Sequence, residues 1–120
     1  MELFSFAKAH GRPVTHYDSN FILSRLAITE GRTVISFMYL EENGVIGYHE
    51  APVNQILYVV AGEGYVCNEK KEYQHLQVGD AVFWTQGEWH ETKTEKGLTA
   101  IVIEGKTLTP EHLFKVGAAK

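Results

Sequence analysis

Two glycine-bounded runs hold most of the side chains in this chain that could do chemistry. The first is Gly44-Val-Ile-Gly-Tyr-His49-Glu-Ala51-Pro-Val-Asn-Gln55-Ile-Leu-Tyr-Val-Val-Ala-Gly62; the second is Gly79-Asp-Ala-Val-Phe-Trp-Thr85-Gln-Gly87-Glu-Trp-His90. An imidazole titrates near neutrality, so His49 and His90 suit proton transfer or neutral ligation of a metal. Gln55 offers an amide oxygen that can ligate a metal but brings no charge. Side chains alternate faces along an extended strand, so His49, Ala51, Val53 and Gln55 share one parity. A turn at Pro52-Val-Asn54 can preserve that facing. The plainer reading of both histidines is that they line a pocket as polar residues without chemistry.

The elements that must position them are short. Stretches rich in Val, Ile, Phe, Tyr and Thr recur between Gly, Asn and Asp, which is the pattern of an all-β sandwich or barrel. Thr33–Leu40 predicts a strand, followed by a turn at residues 41–44, and residues 56–60 predict another. Residues 64–68 and 72–76 read as a hairpin turned at Glu69-Lys70-Lys71. Gly79-Asp80 leads into a strand over 81–85, and Gln86-Gly87 is the next turn. A last hairpin is expected between 90–94 and 98–104. Residues 20–26 fit either strand or helix. One helix is expected at the C-terminus, with Thr109 as N-cap, Pro110 first and Glu111 complementing the dipole, running to about Val116 before Gly117.

At 120 residues the chain is one domain. We divide it into an N-terminal arm over 1–32, a core over 33–104 and a helix and tail over 105–120. A net charge of −4, with scattered arginines, gives no footprint for nucleic acid. No stretch approaches the roughly 18 consecutive apolar residues of a membrane span. The single Cys67 excludes an internal disulfide and fits a reducing compartment, so the cytoplasm is expected. Cys67 reads as a small buried hydrophobe, and His10, His16, His75 and His112 as surface residues. Trp84 and Trp89, which flank the Gly87 turn, read as closing a barrel end or an interface.

Together the two runs resemble the paired motifs of the cupin family, G-x5-H-x-H-x3,4-E-x6-G and G-x5-P-x-G-x2-H-x3-N. The resemblance spans roughly residues 33–104. It implies an all-β double-stranded β-helix, a jelly-roll barrel, here with the short C-terminal helix. It also implies a divalent metal (Fe, Mn, Ni or Zn) where His49, Gln55 and His90 converge, with His90 as the catalytic residue. Departures from the motifs are specific: Ala51 replaces the second histidine, Gln55 the glutamate, Thr85 the proline and Thr94 the asparagine. Gly44 also lies five positions before His49 instead of six. Losing the carboxylate removes the main charge compensation for a dication, so a metal-free site is nearly as strong an expectation.

The pocket mouth is expected to hold His49, Gln55 and His90, with walls from Phe37, Leu57, Phe83 and Ile101. Its ligand is a small polar molecule. The alternatives are a metal-dependent oxygenase, isomerase or lyase, and a metal-free epimerase using His90 with a tyrosine acid such as Tyr39, Tyr48 or Tyr58. No room remains for a helix-turn-helix. The apolar N-terminal third (Phe21, Ile22, Leu23, Leu26, Ile28) predicts a homodimer.

Overall fold

The β-branched and aromatic runs become ten strands. The computed structural model describes residues 1–110. Its strands are β1 (Glu2–Ser5), β2 (Arg12–Val14), β3 (Phe21–Leu23), β4 (Thr33–Leu40), β5 (Val45–Glu50), β6 (Gln55–Cys67), β7 (Gln74–Gln77), β8 (Asp80–Trp84), β9 (Trp89–Lys93) and β10 (Leu98–Gly105). All pairings are antiparallel. One sheet runs β1-β8-β6-β10-β4, and the facing one runs β5-β9-β6-β7. A separate hairpin joins β2 to β3. The architecture is the expected all-β double-stranded β-helix.

β6 belongs to both sheets. Its first half pairs with β8 and β10, and from Glu63 onward it pairs with β7 and β9. The handover falls at Gly62, whose φ of +77° is the left-handed region that glycine adopts without steric cost. Space forbids a side chain there as well, because a Cβ at Gly62 would stand 2.2 Å from the Gly97 carbonyl oxygen. The register between β10 and β6 shifts at Thr99/Ala100, beside this crossing.

Two apolar layers follow from the alternation of side chains. The interior between the sheets is filled by Leu57, Val59, Val66, Leu76, Val82, Trp84, Leu98, Ala100 and Val102. A second cluster lies on the outer face of the larger sheet, where Phe4, Ile56, Ala81, Phe83, Ile103 and Leu108 meet Phe6, Leu26 and Ala27. The N-terminal segment thus covers part of that sheet's back. This is why its central strands read as nearly continuous apolar runs.

Three expectations change. Residues 20–26 resolve into the three-residue strand β3 followed by irregular chain. Residues 90–94 and 98–104 do not form a hairpin, because β9 pairs with β5 and β6 while β10 pairs with β4 and β6. The loop between them crosses from one sheet to the other. The C-terminal helix is not borne out at its start: Thr109 and Pro110 carry no helical structure, and residues 111–117 lie outside the described residues. Among the described residues no helix is long and apolar enough to cross a membrane.

The crossing gives a direct test. Gly31 also has positive φ (+76°), but nothing lies within 4 Å of where its Cβ would be. Gly31→Ala is expected to lose only the conformational term, about 1–2 kcal/mol. Gly62→Ala adds a backbone collision and is expected to lose at least ~3 kcal/mol. Urea unfolding of both variants decides; equal losses would mean β6 does not turn at Gly62.

Candidate functional site

Cross-strand neighbours form rows over the inner face of the larger sheet. The row at one end is Glu104–Gln55–Trp84, contributed by β10, β6 and β8. One row deeper stands Val102–Leu57–Val82, wholly aliphatic. The polar end row therefore sits on an apolar floor.

Facing it, β5 and β9 bring His49 and His90 directly opposite each other, with ring centroids 4.5 Å apart. The pairing depends on a bulge. Ile46 pairs with Thr92 and His49 with His90, so Gly47 and Tyr48 together oppose Glu91 alone. The extra residue lets Ile46 join the interior cluster and still turns His49 to the same side. Before β9, Gly87 takes φ +88° in a turn closed by the Glu88 N–H donating to the Thr85 carbonyl at 3.0 Å. Backbone bonds from Ala51 N–H to Glu88 O and from Gly87 N–H to Ala51 O tie the two strands beyond His90. The Glu88 carboxylate accepts from the Thr85 N–H and the Asn68 amide, which holds the turn from inside.

Both histidines are fixed in the same tautomer. His49 Nδ1 lies 2.6 Å from the Gly47 carbonyl oxygen, and His90 Nδ1 lies 3.2 Å from that of Glu88. A carbonyl only accepts, so each Nδ1 carries a proton, and in the neutral form of each ring Nε2 is the nitrogen with the lone pair. His90 is buried and stacks on the Trp84 ring at 4.3 Å, whereas His49 is exposed. Burial holds the His90 imidazole below the ordinary histidine range, and the neighbouring His49 pushes the same way. The Glu88 carbonyl and the carboxylates of Glu88 and Glu104 oppose that shift without cancelling it.

Gln55 is buried, and its Nε2 donates to Glu104 Oε1 at 2.7 Å. Trp84 Nε1 is the one buried side-chain nitrogen or oxygen among the described residues that lacks a partner. That costs about 1–3 kcal/mol, offset by burying the largest side chain of the core.

Of the residues read from sequence, His49, His90 and Gln55 gather at this end of the barrel, and Leu57 lies in the floor. The other walls do not face it. Phe83 and Ile101 belong to the outer cluster, and Phe37 is 62% exposed on the outer face of β4. Parity explains the correction: on β8 and β10 the inward residues are even-numbered, and on β4 Met38 and Leu40 point in. Glu104 went unread although it shares parity with Ala100 and Val102, the one signal that could have found it. His75, as expected, is a surface residue, 3.5 Å from Glu63, and Cys67 is buried.

The donor set does not fit a divalent metal. Such an ion takes at least three protein ligands at about 2.0–2.3 Å. Among the described residues no group of three or more His, Cys, Asp or Glu side chains is placed to hold one. Ala51 offers nothing, and Gln55, whose Nε2 donates to Glu104, has only a neutral amide oxygen to give.

The Cupin domain family model matches residues 36–106. A cupin-like protein of Thermotoga maritima is 25% identical, aligned over 62% of this chain and 57% of its own, with a TM-score of 0.59. An RmlC-like cupin of Methanocaldococcus jannaschii with a double-stranded β-helix fold is 14% identical over 72% of this chain and 76% of its own, TM-score 0.59. A predicted oxalate decarboxylase of Thermotoga maritima is 23% identical over 58% and 63%, TM-score 0.53. These last two likenesses concern the fold alone. No curated protein matches the chain.

The buried imidazole predicts a pH effect. With its folded-state pKa below the unfolded value, His90 takes up a proton more readily in the unfolded chain. Stability should hold above the ordinary histidine range and fall as pH drops through it. Urea unfolding at about pH 7.5 and about pH 5.5 should show this loss, and His90→Gln should reduce it. An NMR titration placing His90 at or above the ordinary value would remove its basis.

Proposed function

The chain belongs to the cupin domain family, and on that premise we propose that it binds a small polar molecule at the end of its barrel without a metal. One observation carries this reading: two imidazoles 4.5 Å apart, each bonded through Nδ1 to a backbone carbonyl, face the end row of the Gln55–Glu104 pair, and among the described residues no third His, Cys, Asp or Glu completes a metal site with them. The site is polar at its rim, apolar beneath, and oriented by backbone carbonyls. Epimerase chemistry through His90 lacks its acid. Tyr48 packs on Trp89, Tyr58 meets Phe6 in the outer cluster, and Tyr39 is exposed beside Phe37. None of the three joins the histidines.

Restoring the missing ligands tests the metal-free reading. Gln55→Glu alone sets two carboxylates at hydrogen-bonding distance, so one is driven to stay protonated unless a cation joins them. Calorimetry at neutral pH should show Ni²⁺ or Mn²⁺ binding at least ~100-fold tighter in Ala51→His/Gln55→Glu than in the parent. Parent protein purified without a histidine tag should carry substoichiometric metal. A stoichiometric ion that resists chelation overturns the reading.

We also propose that the protein works as a homodimer. In support, β4 is an edge strand whose outer face exposes Ile35, Phe37 and Tyr39, the last two rings stacked at 6.1 Å. A long apolar edge is an aggregation hazard unless something covers it. Phe21, Ile22 and Ile28 of the N-terminal arm are exposed too. Light scattering should give twice the chain mass, and Phe37→Glu/Tyr39→Lys should return the monomer. A monomeric parent sinks the proposal.

A further inference from the structure

The side chains at the barrel end are almost all acceptors. His49 and His90 have committed their Nδ1 protons to backbone carbonyls and present only Nε2 lone pairs. Among the described residues neither Nε2 has a hydrogen-bond partner. Glu104 accepts from Gln55 through one oxygen and leaves the other open. No Lys or Arg pairs with Glu104 among the described residues. Trp84 Nε1, the nearby donor, is sealed away from solvent. Glu104 shares its end row with Trp84, on whose ring His90 stacks at 4.3 Å.

Deepening the binding reading above, on which this rests, we propose that the His49–His90–Glu104 cluster receives the protonated amino group of a small organic amine. An ammonium has three N–H donors in a compact head, one for each imidazole Nε2 and one for the Glu104 carboxylate. Its positive charge complements the single uncompensated carboxylate. A ligand carboxylate or phosphate would instead face Glu104 and two lone pairs, a like-charge contact against which the row sets one remaining Gln55 N–H and no positive charge. A hydroxyl satisfies only one of the three acceptors and neutralises nothing.

Distance separates the ammonium from a metal. Charge-assisted N–H bonds span about 2.7–2.9 Å, against about 2.0–2.2 Å for metal–nitrogen and metal–oxygen bonds. A set of acceptors too widely spaced for a metal shell can therefore still serve an ammonium. The substitution of Ala51 and Gln55 for the family's histidine and glutamate removes one imidazole and one negative charge, and Glu104 supplies a negative charge from the neighbouring strand. Gln55 then has a positioning role: its amide holds the carboxylate toward the histidines.

The test uses three probes of equal size and different charge on the full chain: 2-aminoethanol, ethylene glycol and glycolate. Binding is read from the imidazole NMR signals of His49 and His90. 2-Aminoethanol is expected to bind at least ~10-fold tighter than either analogue, the scale of one charge-assisted hydrogen bond. Glu104→Gln, which keeps shape and removes charge, should abolish the preference. If that variant fails to fold, His49→Ala, at an exposed position, should weaken the amine at least ~10-fold by removing one acceptor. Preference for glycolate or ethylene glycol overturns the amine assignment but leaves a polar binding site standing. If no probe moves either imidazole, the amine assignment falls. If a wider panel of neutral and anionic polar molecules also fails, the binding reading falls with it.

Discussion

One strand holds the two sheets in register, and the site depends on it. β6 enters the larger sheet at Gln55 and leaves the facing one at Cys67, turning at Gly62 where only a glycine fits. Because both sheets hydrogen-bond to the same strand, their separation and relative rotation are fixed by its backbone and not by side-chain packing alone. Gln55 at its start is bonded in register to Trp84 and Glu104, and Cys67 at its end faces Glu91, next to His90. The distance between the acidic row and the histidine pair is therefore set by covalent chain as well as by the apolar floor. A sandwich of two independent sheets could slide at this end; a barrel with a shared strand resists it.

What could be read from the sequence follows from how much of each signal is local. β4 matches its expected bounds because its β-branched run and the turn after it are both short-range features. The hairpin of β6 and β7, turned at residues 69–71, was legible for the same reason. The pairing of β9 with β5, and of β10 with β4, is long-range, and adjacency in sequence suggested a hairpin that the fold does not make. Facing was the harder problem. Parity runs true along β8 and β10, but it switches on β6 at the Gly62 crossing, where Leu57 and Val59 give way to Val66, and a bulge before His49 adds a residue on β5 and switches the alternation there. Phe37, Phe83 and Ile101 were placed on the wrong face because the larger sheet buries side chains on both sides, so an apolar residue carries no directional information. Glu104 was hidden for the opposite reason. It lies at the end of an apolar strand, where a charged residue reads as an ordinary strand terminus.

The exchange between Gln55 and Glu104 shows how charge at such a site depends on place as much as on amount. In the family's pattern the carboxylate sits on β6 beside two histidines, within reach of a cation shared by all. Here the β6 position carries an amide and the adjacent position on β10 carries the acid, bonded to each other at 2.7 Å. The negative charge stays in the row but moves one strand away from the histidines. Metal ligands must fall within a few tenths of an ångström, while hydrogen bonding tolerates a longer reach.

The same geometry explains why the site can vary without unmaking the fold. The row beneath it, Val102–Leu57–Val82, is aliphatic, and the layers on both faces of the larger sheet need nothing from Gln55 or Glu104. Of the end-row groups only Trp84 contributes heavily to the core, and it does so through its ring while its N–H goes unpaired. Changing Gln55 or Glu104 alters hydrogen bonding at a rim, where water can replace a lost partner; changing Trp84 opens a cavity, which water cannot fill without cost. Function and stability thus meet at one residue of the row and separate at the others. The stack of Trp84 on His90 is the point of contact between them: the ring that seals the core is also the surface that orients the buried imidazole.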